Sequence, residues 1–164
     1  MNLTDDVEQN IELVISASRN CYPDHPVLAD LTAAQAILES RLAGRPSRLA
    51  VEFNNLFGIK GEGTGKIIDG KLKSKVLLPT KEYSPAHGYE EVDQGFAVNA
   101  SIEDSILQHK ELFENGTRDN PDRYRNLFTA KTFNEAAHMV QEDGYATDAS
   151  YANKLLTIYN MYVR

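Results

Sequence analysis

The chain has 164 residues, 41% hydrophobic and 25% charged, with 17 Lys and Arg against 24 Asp and Glu for a net charge of −7. That balance predicts one soluble globular domain and excludes sequence-independent nucleic-acid binding, which needs a basic footprint. No apolar run reaches membrane-span length, so no membrane insertion is expected, and the single Cys21 permits no internal disulfide.

Helix signals open the chain. Val7, Ile11, Val14 and Ile15 recur at helical spacing behind Thr4 and Asp5 as a cap, which predicts a helix over residues 4–19. Pro23 and Pro26 read as breakers, and Thr32-Ala-Ala-Gln35 reads as a capping box opening a second helix from Ala33 to about Leu42. Ala33, Ala34, Ala36, Ile37 and Leu38 make that helix apolar on nearly all faces, as a buried helix is. Residues 58–96 change character: seven glycines, an Asp69-Gly70 turn, and the apolar runs Ile67-Ile68 and Val76-Leu77-Leu78 predict a hairpin or small sheet. Between residues 60 and 81 six lysines face two acids, so this segment carries +4 and the rest of the chain −11.

Helices return after the insertion. Ser101 caps a stretch bearing Ile102, Ile106, Leu107, Leu112 and Phe113 that stops near Gly116. Asn120-Pro121 reads as a cap with proline at the first helical position, and Thr132-Phe-Asn-Glu135 as a second capping box for a helix ending at Gly144. Asp148 caps a last helix with Tyr151, Leu155, Ile158, Tyr159 and Tyr162. The sum is a mainly helical α+β fold with a β insertion near the middle.

His25, His87, His109 and His138 lack metal-ligand spacing and read as surface or half-buried residues, so no metal or cofactor is expected. The Gly-rich run at 61–65 lacks the Lys-Ser/Thr of a phosphate loop. Glu39 stands out. It is the only ionisable side chain between Asp30 and Arg41, on a helix expected to be buried. Desolvation raises a carboxyl pKa, and a carboxylic acid that keeps its proton near neutrality suits glycoside cleavage. The plainer reading is that Glu39 leaves the helix edge to pair with Arg41, Arg45 or Arg48.

Several segments then resemble one family in order along the chain. Ala34-Gln-Ala-Ile-Leu-Glu39-Ser40, Leu49-Ala50 and Asn54-Asn-Leu-Phe-Gly-Ile-Lys60-Gly61 are similar to the core motif of glycoside hydrolase family 73, the peptidoglycan endo-β-N-acetylglucosaminidases. Thr80-Lys-Glu82-Tyr83, Phe96 through Asp104-Ser105, Arg123-Tyr124 and Gly144 through Leu155 resemble its later segments. The resemblance covers about 30–164. Departures stand at Arg41-Leu42-Ala43, where Gly-Trp-Gly is usual, at Ala97 and Asn99, where Arg and Tyr are common, and at Ala149 for Pro.

The resemblance implies a lysozyme-like helical lobe with the Glu39 helix at the floor of a glycan groove. A single catalytic domain over 1–164 is expected, with residues 1–29 as a bracing helix and about 62–96 as the β-lobe. Glu39 would be the general acid at the N-acetylglucosamine-β-1,4-N-acetylmuramic acid bond. Glu82 would activate water, stabilise positive charge, or orient the acetamido group in a substrate-assisted route, with Glu90 and Glu91 as substitutes. Tyr145, Asn55, Tyr124 and Tyr83 are the expected substrate contacts. Asn54 and Tyr151 are read as structural. The expected partners are peptidoglycan glycan strands, with the basic insertion facing their carboxylates and other phage virion or lysis proteins alongside. Met1-Asn2-Leu3-Thr4-Asp5-Asp6 shows no leader, so the expected route is synthesis in a host cytoplasm and delivery to the wall as a phage lysin, virion-associated or released at lysis. An excised domain of a longer secreted or flagellar protein is the other origin weighed. A lytic transglycosylase or muramidase on a similar scaffold and a non-catalytic wall-binding or phage tail module are the competing readings.

Overall fold

The computed structural model describes residues 1–164 and shows six α-helices with two small antiparallel hairpins set between the third and fourth. The mainly helical α+β class is as the sequence predicts. No helix is long and apolar enough to cross a membrane.

Helix α1 (Val7–Cys21) begins later than expected, because Asp6 rather than Thr4 or Asp5 supplies the cap and accepts from Gln9 N at 3.0 Å. Its inner face of Ile11, Val14 and Ala17 packs on α2 and on α4 (Ile102–Asn115). Helix α2 (Pro26–Ser40) starts well before the predicted Ala33. Pro26 is not a breaker here: it opens the helix, where its missing N–H removes a group that would have no partner anyway. Thr32, read as a cap, is therefore an interior residue and fully buried. From Leu31 to Ile37 every side chain of α2 is buried, and it packs against α1, α5 (Phe133–Glu142) and α6 (Tyr151–Ile158).

The end of α2 shows what stands where Gly-Trp-Gly is usual. Arg41 takes the left-handed conformation at φ 59°, and its N–H closes the last turn onto Ile37 O and Leu38 O. That is a glycine's conformation held by a residue with a Cβ. Leu42, next in the chain, is fully buried. A short helix α3 (Arg48–Phe53), capped by Ser47, leads to Asn54, also left-handed at φ 49°.

The β-lobe holds β1 (Lys66–Ile68), β2 (Lys71–Lys73), β3 (Lys75–Ser84) and β4 (Gly88–Ala97). Asp69 and Gly70 both have positive φ, 51° and 74°, so the β1–β2 turn is of the kind the Asp-Gly pair predicts. Strands β3 and β4 pair in one register, from Lys75↔Ala97 at the base to Ser84↔Gly88 at the tip. Three asparagines sew this lobe to the helices. Asn55 Nδ2 donates to Ile59 O and Ala97 O, Asn54 Nδ2 donates to Asn99 O, and Asn99 Nδ2 donates to Asn54 O and Gln108 Oε1.

After the lobe, Ser101 caps α4 by accepting from Asp104 N, and Gly116 ends it as expected. A side chain at Gly116 would meet the backbone oxygens of Asn120 and Pro121 at 2.4 Å. The helix expected to begin at Asn120-Pro121 does not form. Asn120 spends its side chain on a local turn, accepting from Asp122 N, and the chain passes into a 3₁₀ segment, Arg125–Thr129. Thr132 caps α5 through Glu135 N. Asp148 closes a turn one step before α6, accepting from Ser150 N, so the helix begins at Tyr151. His109 corrects the expectation for the histidines: it is fully buried on α4, stacked on Phe57 and against Phe113.

Candidate active site

Glu39 sits on the last turn of α2, where the buried helix emerges beside the loop Phe57–Lys60. A cleft of about 360 Å³ opens there, bordered by Glu39, Lys60, Leu112, Tyr124 and Tyr145 among others. Glu39 pairs with none of Arg41, Arg45 or Arg48; Arg48 instead engages Glu52 at 2.9 Å. The residue as a whole is exposed, but its Oε1 is part-buried and accepts from the Tyr151 hydroxyl at 2.8 Å. Burial on that side raises the Glu39 pKa above the ordinary carboxylate value, and the Tyr151 hydrogen bond opposes the rise. The geometry therefore joins an acid held toward its protonated form to open space for a ligand.

The tyrosines form the rear wall. Tyr145 packs near Tyr151 with ring centroids 5.9 Å apart, and also against Tyr124 and His109. Desolvation, with the Glu39 charge second, pushes the Tyr145 phenol well above its usual range, so it stays a neutral hydrogen-bonding group. Tyr124 is 4% exposed and reaches the cleft only along its edge.

The other expected residues separate. Asn55 is buried, and its amide is committed to the loop: besides its two donated bonds it accepts from Ile59 N at 3.0 Å. Backbone therefore occupies the groups a sugar would need, and Asn55 braces the cleft floor. Glu82 does not border the cleft itself, but Lys60, which does, meets Glu82 Oε1 with its Nζ at 3.2 Å. Tyr83 follows Glu82 on β3 and so points to the opposite face of the hairpin. It lies 65% exposed there beside its cross-strand partner Tyr89, not in the cleft. Glu90 is the cross-strand partner of Glu82, and Glu91 faces the other way. No cluster of three or more His, Cys, Asp or Glu gathers to hold a metal ion.

Tyr151 was missed from the sequence, where it reads as core packing. It is 3% exposed, yet its hydroxyl contacts the carboxylate directly. The signal was the polar Gln35 one helical turn before Glu39 on an otherwise apolar helix.

The family model for glucosaminidases, described as mannosyl-glycoprotein endo-beta-N-acetylglucosaminidase, matches residues 16–164. The chain belongs to the glucosaminidase family. Among curated relatives, the exo-glucosaminidase LytG of Bacillus subtilis is 32% identical over 162 residues, covering 97% of this chain and 54% of LytG. The peptidoglycan hydrolase FlgJ of Escherichia coli K12 is 32% identical over 149 residues, covering 86% of this chain and 40% of FlgJ. The chain thus spans about half or less of the length of these relatives. Among solved structures, the catalytic domain of the autolysin Auto from Listeria monocytogenes superposes with a TM-score of 0.81 at 31% identity, covering 99% of this chain and 88% of that one. The truncated glycoside hydrolase domain of Salmonella typhimurium FlgJ gives 0.65 at 27% identity, covering 94% and 96%. The chain thus shares the lysozyme-like fold of these domains.

Proposed function

We propose that this glucosaminidase hydrolyses the N-acetylglucosamine-β-1,4-N-acetylmuramic acid bond of peptidoglycan, with Glu39 as general acid. The observation that carries this is the Glu39 carboxyl, shielded on one side by Tyr151 and open on the other to the cleft. Protonation of the glycosidic oxygen by Glu39 lets the bond break as positive charge develops on the sugar ring. Glu82, tethered by the cleft residue Lys60, supplies the second carboxylate. It activates water, stabilises the ring cation or orients the acetamido group. Tyr145 offers a neutral phenol and a ring face to the acetamido end of the sugar, and Tyr124 supports it from behind. The whole chain serves as one catalytic domain, with α1 bracing the helical lobe. It acts at the cell wall, and delivery from a phage-infected cytoplasm, virion-borne or at lysis, completes the reading.

The test compares wild type with Glu39→Gln on purified peptidoglycan, reducing the new chain ends with borohydride. Wild type should yield reduced glucosamine, and Glu39→Gln should lose at least about a hundredfold in rate. Reduced muramic acid or 1,6-anhydro ends would refute the bond assignment. Equal clearing by both proteins would remove Glu39 from the reaction.

A further inference from the structure

Behind Glu39 lies a row of buried polar groups that proton donation alone does not explain. Gln35 and Glu39 are one helical turn apart on α2 and share a face. Tyr151, at the first position of α6, reaches between them. Gln35 Nε2 donates to the phenol oxygen at 3.0 Å, and the phenol O–H donates to Glu39 Oε1 at 2.8 Å. Gln35 is fully buried, and its own carbonyl oxygen has no partner. An orphaned buried carbonyl is costly to a fold. What the row delivers for that cost is a phenol proton with a fixed aim: one lone pair of the oxygen is taken by Gln35, and the hydrogen points at Glu39.

We propose that Gln35 and Tyr151 are positioning residues that hold Glu39 by Oε1, leave Oε2 as the oxygen that delivers the proton, and stabilise the carboxylate formed when it departs. This rests on Glu39 being the general acid. In the step, the Oε2–H bond breaks and the proton goes to the glycosidic oxygen. The sugar C1–O bond then breaks with its electron pair leaving on that oxygen, and the negative charge stays on Glu39. The Tyr151 bond starts as a contact between neutral groups and ends charge-assisted, so it strengthens along the reaction coordinate. Gln35 polarises the phenol in the same direction. Few other charges face Glu39. Tyr145 is a neutral phenol, Lys60 across the cleft is engaged by Glu82, and His109 behind Tyr145 is held neutral.

The experiment follows the Glu39 carboxyl by carbon NMR titration in wild type, Tyr151→Phe and Gln35→Met, with its signal assigned by its loss in Glu39→Gln. The pH–rate profile on peptidoglycan is recorded in parallel. Tyr151→Phe should raise the Glu39 midpoint by about one pH unit, carry the alkaline limb of kcat upward with it, and lower kcat about tenfold with KM within about twofold. Gln35→Met should move both in the same direction by less. Unmoved midpoints, or a fall in kcat with no midpoint change, would overturn the proposal, leaving a structural role only. If Tyr151→Phe does not fold, Gln35→Met alone decides, by the same two readouts. Activity surviving in Glu39→Gln would instead defeat the assignment of the acid, while the NMR midpoints still report the hydrogen bond.

Discussion

Replacing His109 with Phe should leave stability near neutrality almost unchanged and remove a specific sensitivity to acid. His109 lies fully buried between Phe57, at 4.1 Å between ring centroids, and Phe113, at 4.3 Å, and neither ring nitrogen has a hydrogen-bond partner. Burial lowers its pKa from 6.5 to about 3. The folded value lies below the unfolded one, so between these pH values the unfolded chain binds one proton more than the native chain. Stability from this group is therefore fully present above pH 6.5 and falls as pH drops toward 3. The slope is about 1.4 kcal/mol per pH unit, which amounts to about 2 kcal/mol between pH 7 and pH 5. For a domain of this size that corresponds to a fall in Tm of about 4–8 °C. Other groups titrate as well. Asp30 and Asp143 are raised by burial, and Glu103 and Asp148 are lowered chiefly by hydrogen bonds, but they are common to both proteins and cancel in the difference. At pH 7 the slightly larger Phe ring costs little, because the substitution also removes the unpaired nitrogens; the net change should stay within about 1 kcal/mol. Thermal melts of wild type and His109→Phe at pH 7 and pH 5 test this. Wild type should lose the additional 4–8 °C, and parallel losses in the two proteins would refute the account of His109 as a buried neutral ring.

Two further predictions concern the cleft and its supports. Arg41→Gly should stabilise the chain by about 1 kcal/mol, since glycine adopts φ 59° without the Cβ penalty, and Tm by differential scanning calorimetry should rise by about 2–4 °C; an unchanged or lower Tm would mean Arg41 carries a compensating contact. Lys60→Met breaks an exposed ion pair, so stability should change by less than about 1 kcal/mol, while peptidoglycan hydrolysis should slow several-fold as Glu82 loses its tether; equal turnover would show that the tether does not matter to the reaction.

Local rules in the sequence were enough to place many of the elements. Ser101, Thr132, Gly116 and the Asp69-Gly70 turn each act as their chemistry predicts, because each satisfies backbone groups within a few residues. Pro26 and Asn120 were misread for the same reason in reverse: proline opens a helix as well as breaking one, and asparagine caps turns as readily as helices. The singular position of Glu39, now seen at the cleft, stood out in the sequence because a lone carboxylate on an apolar helix is chemically out of place. Tyr151 was not, since its role depends on α6 crossing α2, a contact between residues 112 positions apart. The fate of Asn55 and of Tyr83 turned on details a linear reading does not hold. Asn55 meets a strand end 42 residues away, and the parity of β3 sends Tyr83 and Glu82 to opposite faces.

The paired register of β3 and β4 also has a mechanical side. Ten residues of strand have a contour length of about 33 Å and are anchored at the base where Ala97 N bonds Ile59 O and Asn55 bonds Ala97 O. Lys60 follows Ile59 directly, so its ion pair with Glu82 at 3.2 Å shows that the hairpin curls back toward its base; the Glu82 carboxylate then lies within about 12 Å of that anchor, and a swing of about 10° would carry it about 2 Å. A shift of that size is comparable to the difference of about 1–4 Å in carboxylate separation between retaining and inverting glycosidases. The asparagines at the base and the Lys60–Glu82 ion pair thereby fix where the Glu82 carboxylate sits relative to the helical lobe.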